Sequence, residues 1–372
     1  MGKFILKTIT NADIVKELEH IGMDSSYRIF GQDKFRYKNF KIFSLTLAQA
    51  NILKQTALTV GADCATHREV ITGKIEKSDV ILGGSYSQLT KIANKLIPQP
   101  FGLEQLGKDI LAQLKEQSNT THLVGILNLT PDSFSDGGKY LNKDSALTHF
   151  DELISDGADI IDIGAESTRP GAVDVPAEIQ LDRILPLLQK NPNLISIDTR
   201  SSIVAEECLK HGVKIINDVS GLKYDSKMAE VIAKYNATVV IQHSVNRQNQ
   251  GSNIEPYDYV IDDVYLNIYN SIEYAKKEGI KNIIIDVGIG FDKTLEDNFR
   301  LFNRLDEFKS LGYPIMLGIS RKSLLQSDSN DERDIMTLAL NTIAIEHKID
   351  YLRVHNVKMH RKLIDIYKKE II

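Results

Sequence analysis

Cysteine is scarce in this chain. Its 372 residues include two, Cys64 and Cys208, too few and too far apart for a disulfide framework or a zinc-site spacing. Both are expected to be buried or inert thiols in a reducing compartment. No apolar run approaches the roughly 18 residues that a membrane span requires. The opening stretch, MGKFILKTITNADIVKELEH, scatters charge throughout and lacks a signal-peptide core. An acylation signal would place Ser or Thr at the sixth position, where Leu6 stands. Positive charge is not in excess either: 45 basic against 50 acidic residues leave a formal charge of −5. No global field therefore draws nucleic acid or an anionic membrane. A cytoplasmic protein is expected, with neither nucleic acid nor membrane as partner.

What is present is ordinary for a globular protein. Hydrophobic residues make up 42% and charged ones 26%, which excludes wholesale disorder. The length is too great for one average domain. The polar stretch AQLKEQSNTTH separates two differently patterned regions, which puts a boundary near Thr120 and domains at 1–118 and 119–372.

The upstream region reads as a small α/β module. KFILKTIT, FRYKNFKIFSLTL and SDVILGG have strand character; ADIVKELEHIG, AQANILKQTALTVG and SYSQLTKIANKLI have helical periodicity. The SDVILGGS turn reads as a Gly-rich connection with Ser85 or Ser87 capping the next helix, in preference to an anion site. His67 and Arg68 read as a solvated turn. The module is expected to be structural or dimer-supporting, without a second activity.

Downstream, one unit recurs: a short apolar strand ending in a polar residue, then a helical stretch. The strands are HLVGILN, DIIDIGA, LISIDT, VKIINDVS, TVVIQHS, NIIIDVG, PIMLGIS and DYLRVHN. Continuous apolar runs suit parallel strands buried on both faces, with the helices as crossovers. Eight such units in about 250 residues predict a (β/α)8 barrel. No Gly-x-Gly-x-x-Gly fingerprint supports the open-sheet alternative.

In a barrel the C-terminal strand ends converge on one mouth. In order they supply Asn128, Asp162 with Glu166 just beyond, Asp198, Asn217, His243, Asp286, Ser320 with Arg321 and Lys322, and Arg353 with His355. Any one of these is compatible with a structural hydrogen bond. Eight in phase imply a ligand, because a ring of half-buried polar groups is costly unless satisfied. Arg353, His355, Arg321 and Lys322 suit a phosphate or pyrophosphate. Asp198, Asn217 and Asp286 offer acceptors to a heterocycle with adjacent N–H donors. Asn128 suits a phosphate oxygen or a hard cation such as Mg2+. Two loops follow the first two strands: TPDSFSDGGKY, with Phe134 and Asp136 near its tip, and ESTRPGA. They read equally as ordinary turns or as lids that exclude water.

The motifs GILNLTPDSFSDGG, DIIDIGAESTRPGA, SIDT, INDVSG, IDVGIGF, GISRKS and RVHNV, in this order and on these strands, resemble dihydropteroate synthase. The resemblance runs from about His122 to the C-terminus. It implies a (β/α)8 barrel that joins 6-hydroxymethyl-7,8-dihydropterin pyrophosphate to p-aminobenzoate by a dissociative substitution, releasing pyrophosphate. It also implies Mg2+ as cofactor and a homodimer. By this resemblance Asp198, Asn217, Asp286 and Lys322 match the pterin-pocket positions. Asn128, Arg353 and His355 match those for pyrophosphate and metal. Phe134, Asp136, Thr168 and Pro170 match the loops enclosing p-aminobenzoate, with Ser323 beside them. Asp136, Phe134, Lys322 and Arg353 would be the catalytic group, Asp136 stabilising the transient cation.

Three residues depart from the family pattern: Val287 replaces a usual proline, Asn356 an aspartate and Gln242 a methionine. Corrinoid methyltransferases share a pterin-binding barrel but need neither the pyrophosphate cluster nor the SRKS run. A non-catalytic pterin-binding subunit would be suggested by loss of Asn128, Asp136 or Lys322, and all are present.

Overall fold

The computed structural model describes residues 5–9, 14–115, 120–129, 143–166, 174–244 and 257–370. The chain divides into two units, Met1–Ser118 and Asn119–Ile372.

In the first unit, α1 (Ile14–His20) and α2 (Ser25–Gly31) lead into β1 (Tyr37–Thr46) and α3 (Leu47–Leu58). There follow β2 (Asp63–Thr66), β3 (Lys77–Ser85), α4 (Tyr86–Leu96) and α5 (Leu103–Gln113). The strands form an antiparallel sheet in the order β1-β3-β2. Period-two alternation along β3 buries Val80 and Leu82 and leaves Ile81 exposed. The buried face packs with Leu53, Leu89, Ile92 and Ile110 from the helices. Capping boxes start both α3 and α4: Thr46 and Ser85 accept from the backbone N–H of Gln49 and Gln88. The SDVILGGS turn is thus a capped helix start, as its composition suggested. His67 caps a short turn from Arg68 to Val70, and the Arg68 side chain is largely solvated.

Four elements of this unit differ from expectation, the first being α2, a seven-residue helix where no element was expected. KFILKTIT forms no strand over its described residues 5–9, where Ile5 and Leu6 are almost fully exposed. Strand preference acts through cross-strand packing, and no strand pairs with these residues. β2 has four residues, too few for a periodic signal. Gly107 masks α5: a Cβ there would lie 2.6 Å from the Ala93 carbonyl oxygen, so the glycine lets α5 approach α4.

The second unit alternates strands and helices: β4 (His122–Asn128), α6 (Lys143–Ser155), β5 (Ile160–Gly164), α7 (Ala177–Leu188), β6 (Ile195–Asp198), α8 (Ser202–Lys210), β7 (Ile215–Asp218) and α9 (Met228–Lys234). It continues with β8 (Thr238–Gln242), α10 (Val260–Lys277), β9 (Asn282–Asp286), α11 (Leu295–Phe302), β10 (Ile315–Leu317), α12 (Asn330–Glu346), β11 (Tyr351–Val354) and α13 (Val357–Glu370). All eight expected strands are present and pair in parallel, and β11 closes on β4. The result is a (β/α)8 barrel. One large apolar cluster fills the shell between strands and helices. A separate one, of Val124, Val240, Ile284 and Met316 with Ile160, Ile215 and Tyr351, plugs the barrel interior. Cys64 and Cys208 are free and buried, and burial pushes their thiols up to about 11 and about 12. No described helix is long and apolar enough to cross a membrane.

Candidate active site at the barrel mouth

Strand periodicity builds this site. The interior plug uses Ile160, Ile215, Val240, Ile284 and Tyr351. Two residues further along the same strands stand Asp162, Asn217, Gln242, Asp286 and Arg353. A period of two returns each to the inner face, one layer nearer the C-terminal ends. The barrel therefore changes from an apolar floor to a polar mouth in a single step.

Arg353 organises the mouth. Its Nε donates to Asp162 Oδ2 at 2.6 Å and its Nη2 to Asp198 Oδ2 at 2.8 Å. Asn217 Nδ2 also donates to Asp162 Oδ2, at 2.9 Å. Burial works against the Arg353 charge, but Asp162 and Asp198 outweigh it and hold the guanidinium above its ordinary range. Burial raises Asp198 to about 7 against the pull of Arg353, with Asp162, Asp218 and Glu166 adding to the rise. Asp286 is likewise raised by burial, opposed by Lys322 and the Gly288 N–H, which donates to its Oδ1 at 2.7 Å. Burial brings Lys322 down to about 8; its Nζ donates to the Ile289 carbonyl and lies 4.4 Å from the Phe291 ring centroid.

Gly318 lies at this floor: a Cβ there would make ordinary contacts, 3.7 Å from Arg353 Cδ and 3.9 Å from Asp286 Oδ2. At the rim, Ser320 Oγ accepts from the His355 backbone N–H at 3.1 Å and lies 2.9 Å from His355 Nδ1. With Ser320 donating to Nδ1, the proton of the neutral imidazole sits on Nε2. Burial, then Arg321 and Arg353, lower His355 to about 3. It is a neutral ring here, not a base waiting to be charged.

The structure brings together Asp198, Asn217, Asp286, Lys322 and Arg353, with His355 at the rim. Asn128 ends β4 beside Gly164, and Ser323 is exposed after β10. Arg321, considered above as an anion contact, is directed to Asp334, with Nε and Nη2 at 2.8 and 2.7 Å. Glu166 pairs with Arg200 at 3.1 Å. Asn356 caps α13 by accepting from the Met359 N–H at 3.1 Å and donates to Asp334 at 3.3 Å. Val287 is fully buried in the shell. Phe134, Asp136, Thr168 and Pro170 lie outside the described residues.

Two residues were missed by sequence reasoning. Arg200 also binds Asp174, at 2.6 Å, and nothing in its surrounding sequence marks it. Lys293 lies buried behind Asp286, two residues beyond the end of the IDVGIGF motif; its position after that motif was the available signal.

Four buried polar atoms of the inner strand positions, Asp162 Oδ1, Ser196 Oγ, Asp198 Oδ1 and Gln242 Nε2, find no hydrogen-bond partner among the described residues. Each such atom costs about 1–3 kcal/mol until something satisfies it. Their grouping at one mouth marks a ligand's polar edge.

Comparison with known proteins agrees in position and kind. The family of pterin binding enzymes matches residues 124–355. A dihydropteroate synthase of Bacillus subtilis is 42% identical over 247 residues, 64% of this chain and 84% of that protein. A Helicobacter pylori protein named bifunctional dihydropteroate synthase/dihydropteroate reductase is 33% identical over 374 residues, 96% of this chain and 97% of its own. The crystal structure of a Clostridium difficile dihydropteroate synthase, solved in the presence of pteroic acid, has a TM-score of 0.63 at 40% identity. It covers 69% of this chain and 98% of that one.

Proposed function

The chain belongs to the pterin binding enzyme family and is a dihydropteroate synthase of folate biosynthesis, and on that premise we propose how its mouth residues divide the work. The substrates are 6-hydroxymethyl-7,8-dihydropterin pyrophosphate and p-aminobenzoate. The bond from the hydroxymethyl carbon to the pyrophosphate oxygen breaks first, and its electron pair leaves on pyrophosphate. The aniline nitrogen then donates its lone pair to the pterin-stabilised cation, and one N–H proton is lost to solvent. No enzymic nucleophile is required; positioning and charge stabilisation supply the rate.

In this division Asp286 accepts from the paired donors of the 2-amino-4-oxo edge, Lys322 serves the ring carbonyl side, and Asn217 and Asp198 complete the pterin pocket. Arg353 and His355 face the pyrophosphate, so Arg353 exchanges part of its carboxylate pairing for the anion when substrate arrives. By the family pattern Thr168, Pro170, Ser323 and Phe134 are assigned to p-aminobenzoate and Asp136 to stabilising the cation. The observation that carries the reading is the set of four unsatisfied buried atoms on the inner strand positions.

The donor set at the end of β4 suits a hard cation. A Cβ on Gly164 would lie 3.4 Å from Asn128 Oδ1 and 3.7 Å from Asp198 Oδ2, so two oxygens converge where the glycine leaves space. Mg2+ takes few protein ligands and relies on phosphate oxygens. Asn128 would hold it, and when bound it would neutralise charge on the departing pyrophosphate. We also propose a cytoplasmic homodimer. Exposed Ile335, Met336 and Ile343 of α12, with Leu295 and Phe299 of α11 and Ile366 of α13, support an apolar subunit interface.

One observation favours a second activity. The Helicobacter pylori relative aligns along nearly its whole length, N-terminal region included, and its name adds a reductase. Under that reading the chain also passes a hydride, two electrons and a proton, from a reduced nicotinamide or flavin to the C=N bond of dihydropteroate, and the ring nitrogen takes its second proton from solvent. Incubating the purified chain with dihydropteroate and each donor, and following donor oxidation against tetrahydropteroate formed, decides it.

The synthase reading is tested by incubating the protein with dihydropterin pyrophosphate, p-aminobenzoate and Mg2+ and quantifying both products. Equal amounts of pyrophosphate and dihydropteroate, abolished by Lys322→Ala, are expected. Pyrophosphate released without dihydropteroate would show hydrolysis instead and overturn it.

A further inference from the structure

Behind the mouth lies a buried cation that no expected step uses. Lys293 is 8% exposed and has no carboxylate in ion-pair contact among the described residues. Its Nζ donates to the Gly288 carbonyl at 2.9 Å and the Phe291 carbonyl at 3.0 Å and lies 3.0 Å from His243 Nδ1. A buried ammonium without an ion pair is a poor means of stabilising a fold, since an apolar side chain of similar size avoids its desolvation. Its retention calls for another reason, and its contacts supply one.

The turn it holds is the one that aims Asp286. Gly288 N–H donates to Asp286 Oδ1 at 2.7 Å, while the Gly288 carbonyl accepts from Lys293. Gly288 has φ +68°, and a Cβ there would lie 1.9 Å from the His243 carbonyl oxygen, so the turn presses directly on the residue following β8. His243 N–H in turn donates to the Asp286 carbonyl at 2.8 Å. Lys293 therefore ties together both backbone segments that flank Asp286. While Lys293 carries its charge it has no lone pair, so His243 Nδ1 accepts and the ring proton sits on Nε2; burial brings the Lys293 amine down to about 7. From the other side Lys322 donates to the Ile289 carbonyl of the same turn. Gly290 N–H is held by Asn298 Oδ1 at 2.7 Å.

We propose that Lys293 is a positioning residue for pterin recognition, fixing the orientation of the Asp286 carboxylate through Gly288 and locking His243 in its Nε2–H tautomer. The inference rests on the pterin reading of Asp286. Lys293 touches neither substrate; it sets the geometry of the group that does.

The test combines binding with spectroscopy. Lys293→Met keeps the unbranched apolar stem, one atom shorter, and removes the donors. Its Kd for 6-hydroxymethylpterin should rise about tenfold or more, the weight of one misplaced hydrogen-bonding carboxylate, while the KM for p-aminobenzoate stays near the wild-type value. An unchanged pterin Kd, with only a shifted melting temperature, would overturn the proposal. If the variant does not fold, 15N NMR of the wild-type histidines decides instead, with His243 assigned by the signal missing from His243→Asn. An unprotonated Nδ1 and a protonated Nε2 are expected; a proton on Nδ1 would overturn it. A wild-type protein that fails to bind the pterin would sink the functional reading, leaving the tautomer result to stand separately.

Discussion

The two units of this chain treat buried polarity in opposite ways. In the first, Ser78 is the one polar side chain buried among the described residues. It is satisfied, accepting from the His67 N–H at 3.2 Å and donating to the Asp79 carbonyl at 2.7 Å. The barrel buries two aspartates, an asparagine and a glutamine on its inner strand positions, Asp162, Asp286, Asn217 and Gln242. Some of their atoms have no partner in the described residues. The first unit thus satisfies the one polar side chain that its described residues bury. A unit that binds a polar heterocycle keeps groups whose partners arrive with the ligand, and carries their cost meanwhile.

Substitutions in the two units test that contrast. The largest effect is expected at Arg353. Arg353→Met leaves Asp162 and Asp198 buried without their cation, which should cost about 3–5 kcal/mol and abolish turnover; urea unfolding and product assay measure the two losses. Asp286→Asn should separate function from stability. Its kcat/KM is expected to fall about 100-fold to 1,000-fold, as for a lost electrostatic contact, with stability within about 1 kcal/mol of wild type. A large stability loss with intact turnover would reverse the meaning assigned to that carboxylate.

A smaller effect concerns pH. His355 titrates at about 3 when folded, against an ordinary 6.5. Between those values the unfolded chain binds the extra proton, so His355 makes stability rise with pH across that window. Asp198, raised to about 7, tilts the curve the other way, so wild type and variant must be compared directly. His355→Gln should remove up to about 1.4 kcal/mol per pH unit of rising slope between the two values. An unchanged slope would mean that the folded ring titrates normally. The smallest effect is expected in the first unit: Ser85→Ala removes the α4 cap, costing about 1 kcal/mol and leaving synthase turnover untouched. A turnover loss there would erase the division between the two units.

Much of the barrel was legible because its strands are buried on both faces. Such strands read as continuous apolar runs, and each breaks at a polar residue where the mouth begins. HLVGILN coincides with β4 from His122 to Asn128, and the other seven strands fall within their expected stretches. Legibility failed where structure depends on distant partners. KFILKTIT has the composition of a strand but no pairing partner over its described residues 5–9, and DCAT is too short to show a period. The site had the same limit. Asp162, Asp198 and Arg353 were each visible at a strand end. That Arg353 clasps both carboxylates, 191 and 155 residues away in sequence, was not, because pairing across a closed barrel leaves no local pattern. Lys293 escaped notice for the same reason: only the folded turn brings its ammonium to Gly288, Phe291 and His243.

On the proposed function, the unsatisfied polar atoms of the barrel mouth await partners from the pterin. A crystal structure of the protein with 6-hydroxymethylpterin tests it most directly. The account predicts the ring within the mouth, its 2-amino-4-oxo edge donating to Asp286, and partners newly provided to the orphaned atoms of Asp162, Asp198 and Gln242. A pterin bound elsewhere, or bound in the mouth with Asp286 uncontacted and those atoms still alone, would contradict it.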